Sequence, residues 1–174
     1  MLLALFSAGL IAGGLLSGLV LGVFSGLSAP LPTPWRYAAI VAVAVLGLLR
    51  ELGLVRVRLP QNARQIPQDV LQRDVRRGAA RFGFELGTGV RTYVSSSAPY
   101  VLAVAVFLAG QRLSVAVLAG VGFGIGRALT PLARRASGDG DRWDDDLRVR
   151  LRAITVTGST ILVVAFVLLA VRHW

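Results

Sequence analysis

Residues 2–27 read LLALFSAGLIAGGLLSGLVLGVFSGL, without one charged side chain. A bilayer core about 30 Å thick needs roughly 20 apolar residues at ~1.5 Å each, and only structures that satisfy every backbone hydrogen bond internally can cross it. A charge-free run of this length is therefore a membrane-spanning helix. Ser28, Pro30, Pro32 and Pro34 end it, because proline cannot continue a helix. Met1 to Leu10 carries no basic residue, and the run outlasts the ~7–15-residue core of a signal peptide. It is expected to be a retained first span.

Working outward, further apolar runs cover about 37–55, 86–110, 113–132 and 151–171, with polar loops at about 56–85 and 133–150. The expected fold is an all-α integral membrane protein. It is one transmembrane domain over 1–174, a bundle of about five transmembrane helices (four or six are the alternatives) with a basic interfacial helix before the third span. Composition agrees: 174 residues, 55% hydrophobic, with a mean hydropathy of +0.67. Soluble domains hold about 45–50% apolar residues.

The net charge is +10, and all 19 basic residues are arginine. In a soluble chain that excess points to nucleic acid. Here the arginines lie between spans and report topology, so the bilayer is the expected partner and nucleic acid is not. Eight arginines fall between Arg50 and Arg81 and seven between Arg127 and Arg152, against Arg36, Arg112 and Arg172 on the other side. The positive-inside rule then puts both long loops and the N-terminus in the cytoplasm and the C-terminus outside. Trp35, Tyr37 and Trp174 would form an outer aromatic belt. Abundant Ala, Gly, Val and Arg without Lys suits a GC-rich bacterial genome, so a bacterial inner membrane is the expected location.

The third run is ambiguous. It holds Glu85, Arg91, Ser95, Ser96, Ser97 and Pro99. Either the crossing covers only about Thr92 to Gly110, or a longer helix is interrupted. Isolated charge in hydrocarbon costs ~2.5–3.5 kcal/mol on insertion scales. Glu85 and Arg91 lie on different faces of a continuous helix; a break at Gly87 or Gly89 would bring them together. Glu85, Arg91 and Ser95 to Ser97 thus form a candidate intramembrane polar site, against the plainer expectation that Glu85 and Arg91 are interfacial. Before this run, Pro67 can open a helix whose apolar stripe is Val70, Leu71, Val75, Ala79 and Phe82. Arg73, Arg76, Arg77 and Arg81 lie around it, placed to meet anionic headgroups.

Gly14, Gly18, Gly22 and Gly26 recur every four residues, and Gly120, Gly122, Gly124 and Gly126 crowd the fourth run. Such spacing lets helices approach closely in lipid. It reads first as packing within the chain, with a homo-oligomer or membrane-protein partner as the functional alternative. Gly22, Gly26 and Pro30 also resemble Gly122, Gly126 and Pro131 in spacing. That is the kind of faint echo an inverted repeat leaves, though coincidence explains it more simply.

Several chemistries are excluded or unsupported within these residues. There is no cysteine, hence no disulfide, thiolate metal site or thiol redox chemistry. The one histidine, His173, makes no multi-histidine site. Asp139, Asp141 and Asp144 to Asp146 lack the spacing of a calcium loop and better suit a helix N-terminus. No nucleophile–base set or P-loop is present, so no catalytic residue, metal or cofactor is expected.

The stretches Gly83-Phe84-Glu85-Leu86-Gly87-Thr88-Gly89 through Pro99-Tyr100, and Gly122 through Pro131, flank a basic loop. In this they resemble the transmembrane thiol-electron carriers of the CcdA and DsbD type, over about a quarter of the chain. That family works through a pair of membrane cysteines, which this chain lacks. The resemblance implies a shared helical scaffold without the shared chemistry, and it transfers no catalytic residue. The expected role is a non-enzymatic membrane subunit or assembly component packing through glycine-rich helices. The alternative is a small-solute or ion transporter or channel-like module with a polar site at the broken third span.

Overall fold

A computed structural model describes residues 1–57, 59, 75–89 and 96–173. Six α-helices and no strand occur among them. They are α1 (Leu2–Phe24), continued by a 3-10 turn at Ser25–Ser28, α2 (Thr33–Glu51), α3 (Val75–Gly87), α4 (Ala98–Leu108), α5 (Leu113–Ala136) and α6 (Gly140–His173). Four stretches are long and apolar enough to cross a membrane: Leu2–Ser28, Thr33–Glu51, Leu113–Ala136 and Gly140–His173.

The interval expected to hold the third span contains the end of α3 and all of α4 among its described residues. α3 stops at Gly87, and Gly89 has φ +72°, a left-handed conformation that glycine adopts without strain. Thr88 N–H still reaches Phe84 O and Gly89 N–H reaches Leu86 O, so the helix is closed by a tight turn. α4 begins at Ala98, where Pro99 occupies the first turn and needs no hydrogen-bond acceptor. The alternative start at Thr92 lies outside the described residues, as do Pro67, Val70 and Leu71.

The other ends follow from capping chemistry. α2 begins at Thr33, earlier than its apolar run, because Pro34 fits the first turn of a helix. α6 begins at Gly140, well before its apolar stretch. Asp139 precedes it and accepts Arg142 N–H at 3.1 Å, the usual way an aspartate satisfies a first-turn donor.

The chain divides into two compact units. The first comprises described residues 1–20, 75–89 and 113–144. Its packing is backbone against backbone. Residues 6–13 of α1 meet residues 80–88 of α3 in ascending order, so these helices are parallel. Residues 10–18 of α1 meet 124–116 of α5 in descending order, so those are antiparallel. Phe6 stacks on Phe82 at 5.8 Å. At the far end Arg134 pairs with Asp144 at 3.0 Å, joining α5 to the start of α6.

The second unit comprises described residues 21–59, 96–112 and 145–173. Tyr37, Ile40, Ala105 and Ala170 form its apolar centre, with Val41, Leu108 and Phe166 against them. α4 runs antiparallel to α2, with Ser97 and Val101 over Gly47 and Ala105 beside Ile40. Tyr37 corrects an expectation: it is 4% exposed and stacks on His173 at 4.7 Å, rather than facing headgroups. Trp35 is exposed. Trp174 lies outside the described residues.

Candidate functional site: glycine faces and two buried carboxylates

α1 is the helix that glycine content shapes most. A Cβ on Gly9 would sit 2.8 Å from Phe84 N, and one on Gly13 would sit 2.8 Å from Thr88 N. On the other side, Gly14 and Gly120 lie against each other's backbone, Gly18 meets Ala116, and a Cβ on Gly124 would fall 2.7 Å from Ile11 Cα. Real Cβ atoms do not approach backbone this closely, so each position requires a glycine. Gly22 is partly buried, whereas Gly26 has open space around it. α5 carries glycine on two faces. Gly120 and Gly124 are filled by α1, while among the described residues nothing lies within 4 Å of a Cβ built at Gly122 or Gly126.

α3 presents its glycines Gly83 and Gly87 to α1. Its opposite face carries Arg77, Arg81 and Glu85, spaced four apart and so aligned along the helix. Arg76, Arg77 and Arg81 are exposed. Arg81 Nε meets Glu85 Oε1 at 3.2 Å; the Arg81 side chain is 65% exposed and that of Glu85 16%. At the end of α3, Ser17 Oγ of α1 donates to Thr88 O at 2.9 Å, and Thr88 Oγ1 donates to Glu85 O at 2.8 Å. These bonds satisfy carbonyls that a terminating helix leaves open. Arg73, Arg91 and Ser95 lie outside the described residues.

Ser96 and Ser97 belong to the second unit, where Ser97 meets a different carboxylate. Glu51 is at the end of α2, and its side chain is 7% exposed. Its Oε1 accepts Ser97 N–H at 2.7 Å, Ser97 Oγ–H at 2.9 Å and Arg50 Nη1–H at 3.0 Å. Ser97 Oγ also lies 3.1 Å from Gly47 O, and Arg50 Nε donates to Val57 O at 3.1 Å. Ser96 Oγ accepts Ala98 N–H at 3.2 Å. The start of α4 is thus capped from α2. The sequence alone does not single out Glu51. Its signal was present all the same: an acid closing an apolar run, and a Ser-Ala-Pro helix start with a donor to satisfy.

The acidic loop is likewise occupied by its own arginines. Arg134 holds Asp144 through two nitrogens, Arg148 meets Asp145 at 3.1 Å, and Asp139 caps α6. Arg127 lies 5.7 Å from the Phe123 ring centre, a cation–π contact near the end of the α5 span.

Four stretches long and apolar enough to cross a membrane define a polytopic integral membrane protein. Over 139 aligned residues the chain is 31% identical to the Methylamine utilization protein MauF of Methylorubrum extorquens, an alignment covering 74% of this chain. The chain spans only 45% of that relative's length. No family model matches it, and no solved structure does.

Proposed function

We propose that this chain is a non-enzymatic membrane subunit or assembly component, and that a transmembrane helix of another protein packs on the outer face of α5. The open space at Gly122 and Gly126 carries this proposal. Two glycines four apart make a groove into which a second helix fits, and van der Waals packing in such grooves is a main source of association in lipid. The relative's name, a methylamine utilization protein, gives one context in which to look for the partner.

The chain has no cysteine, so Leu129→Cys gives a single cross-linking site beside the groove. Cross-linking in native membranes is expected to yield one defined adduct. Gly122→Leu should abolish it. An adduct that survives Gly122→Leu, or no adduct from any position of that face, refutes the proposal.

A second reading, a small-solute or ion pathway, is favoured by the early end of α3 beside Ser17 and by Glu85 next to it. It predicts a solute flux in reconstituted vesicles that Glu85→Gln changes. No flux of any tested small ion or amine removes it.

A further inference from the structure

We infer that the end of α2 and the adjoining stretch of α6 form a binding site for an anionic phospholipid, with Arg56, Arg150 and Arg152 on its phosphate and Leu52 and Leu54 against its acyl chains. The level of the site comes first. α2 leaves its uncharged run at Arg50, and the uncharged run of α6 covers 153–171, starting just after Arg152. Arg152 Nη2 donates to Leu52 O at 3.4 Å, so the two ends lie side by side. Both helices are long and apolar enough to cross a membrane. Their junction therefore sits where hydrocarbon gives way to headgroups.

The turn after α2 sets out the apolar part. Gly53 N–H donates to Arg50 O and Leu54 N–H to Leu49 O, with Gly53 at φ +79°. This is the Schellman ending of a helix, in which the residue after the glycine usually packs on the last turn. Here Leu54 is 71% exposed and Leu52 38%. At this level an exposed leucine meets acyl chain. The charges lie beside it. Residues 50–57 and 145–152 hold five arginines and three acids. Glu51 and Asp145 are held by Arg50 and Arg148. Asp146 lies one turn from Arg150 and about 9 Å from Arg152 at ~1.5 Å per residue, on the side away from the hydrocarbon. Arg56, Arg150 and Arg152 are exposed.

A guanidinium presents paired N–H donors that match two oxygens of one phosphate. Basic clusters beside membrane helices attract anionic lipid by about fivefold in affinity per arginine. The ligand is thus a phosphate anion that carries acyl chains, because the site offers guanidinium and exposed leucine together. It does not rest on the partner face of α5.

The test titrates the delipidated full chain in neutral detergent with phosphatidylglycerol, phosphatidylcholine or water-soluble glycerol phosphate, and reads bound ligand by native mass spectrometry. Phosphatidylglycerol is expected to bind roughly tenfold tighter than either of the others, with the advantage shrinking as salt rises. Arg56→Gln with Arg150→Gln leaves the Arg152 bond to Leu52 in place, so the junction is kept. This variant should lose roughly twentyfold in affinity for phosphatidylglycerol. Arg135→Gln, at an exposed arginine of α5, should lose nothing. Leu54→Asn keeps every arginine and should still weaken binding of the lipid, the mark of acyl contact. Glycerol phosphate binding as tightly as the lipid would mean a site for a soluble anion. An equal loss in Arg135→Gln would mean charge attraction without a site. Either result overturns the inference, as does unchanged affinity in Leu54→Asn or in the double arginine variant.

Discussion

One oxygen of Glu51 accepts three hydrogen bonds, two of them from Ser97. Glu51→Ala would strand the Ser97 N–H in a buried setting, which costs about 1–3 kcal/mol. Glu51→Gln keeps an acceptor oxygen and should lose under half of that. Unfolding of the detergent-solubilised protein by heat or by denaturing detergent measures both. Equal losses would mean that the negative charge, and not acceptance from Ser97, holds the end of α4. The sequence shows an acid at 51 and a serine at 97 plainly, but not their meeting. Forty-six positions separate them, and only the antiparallel seating of α4 on α2 at Gly47 brings them together. Glu85 was legible as unusual, because an acid inside an apolar run is rare. Its partner was not: Arg81 lies on the same helix one turn earlier, whereas Arg91, the expected partner, lies outside the described residues.

α3 shows why elements were harder to read than spans. Its arginines suggest a helix resting on headgroups. Gly83 and Gly87 also seat it against α1. Glycine carries no hydrophobic signal, so the buried face of α3 looks blank in a pattern of apolar residues. The end of the helix was more visible, since Gly87 and Gly89 are breakers. Gly89→Ala must hold a left-handed φ, which costs an L-residue roughly 1–2 kcal/mol. Ser17→Ala removes the hydroxyl that binds Thr88 O and is expected to cost about 0.6 kcal/mol, the average for a hydrogen bond between membrane helices. Melting temperatures of the two variants check the order: Gly89→Ala should lie below Ser17→Ala. The reverse order would mean that the turn after α3 is soft and that Ser17 carries the junction.

For the molecule as a whole, length and charge told most. Charge-free runs of membrane-crossing length gave α1 and the apolar part of α6, and tertiary contacts were not needed to see them. Orientation rests on the arginine asymmetry. With the N-terminus in the cytoplasm, a reporter fused at the N-terminus should be active only as a cytoplasmic fusion, and one placed after Ala29 only as an external one. Opposite activities would reverse the topology. The two glycine faces of α5 could not be told apart from sequence, because Gly120, Gly122, Gly124 and Gly126 look alike there. Contact with α1 separates them, leaving one face filled and the other open.

That separation gives the most direct measurement: the stability and the native mass of two paired variants purified from the same membranes. Gly120→Leu with Gly124→Leu drives side chains into the backbone of α1, at an overpacking cost of at least ~1–3 kcal/mol each. This variant should fail to fold. Gly122→Leu with Gly126→Leu should melt with the native protein yet run at the mass of the isolated chain, its partner lost. If the second variant keeps its complex, or if both pairs unfold alike, α5 has no free face for a partner and the proposed role is wrong.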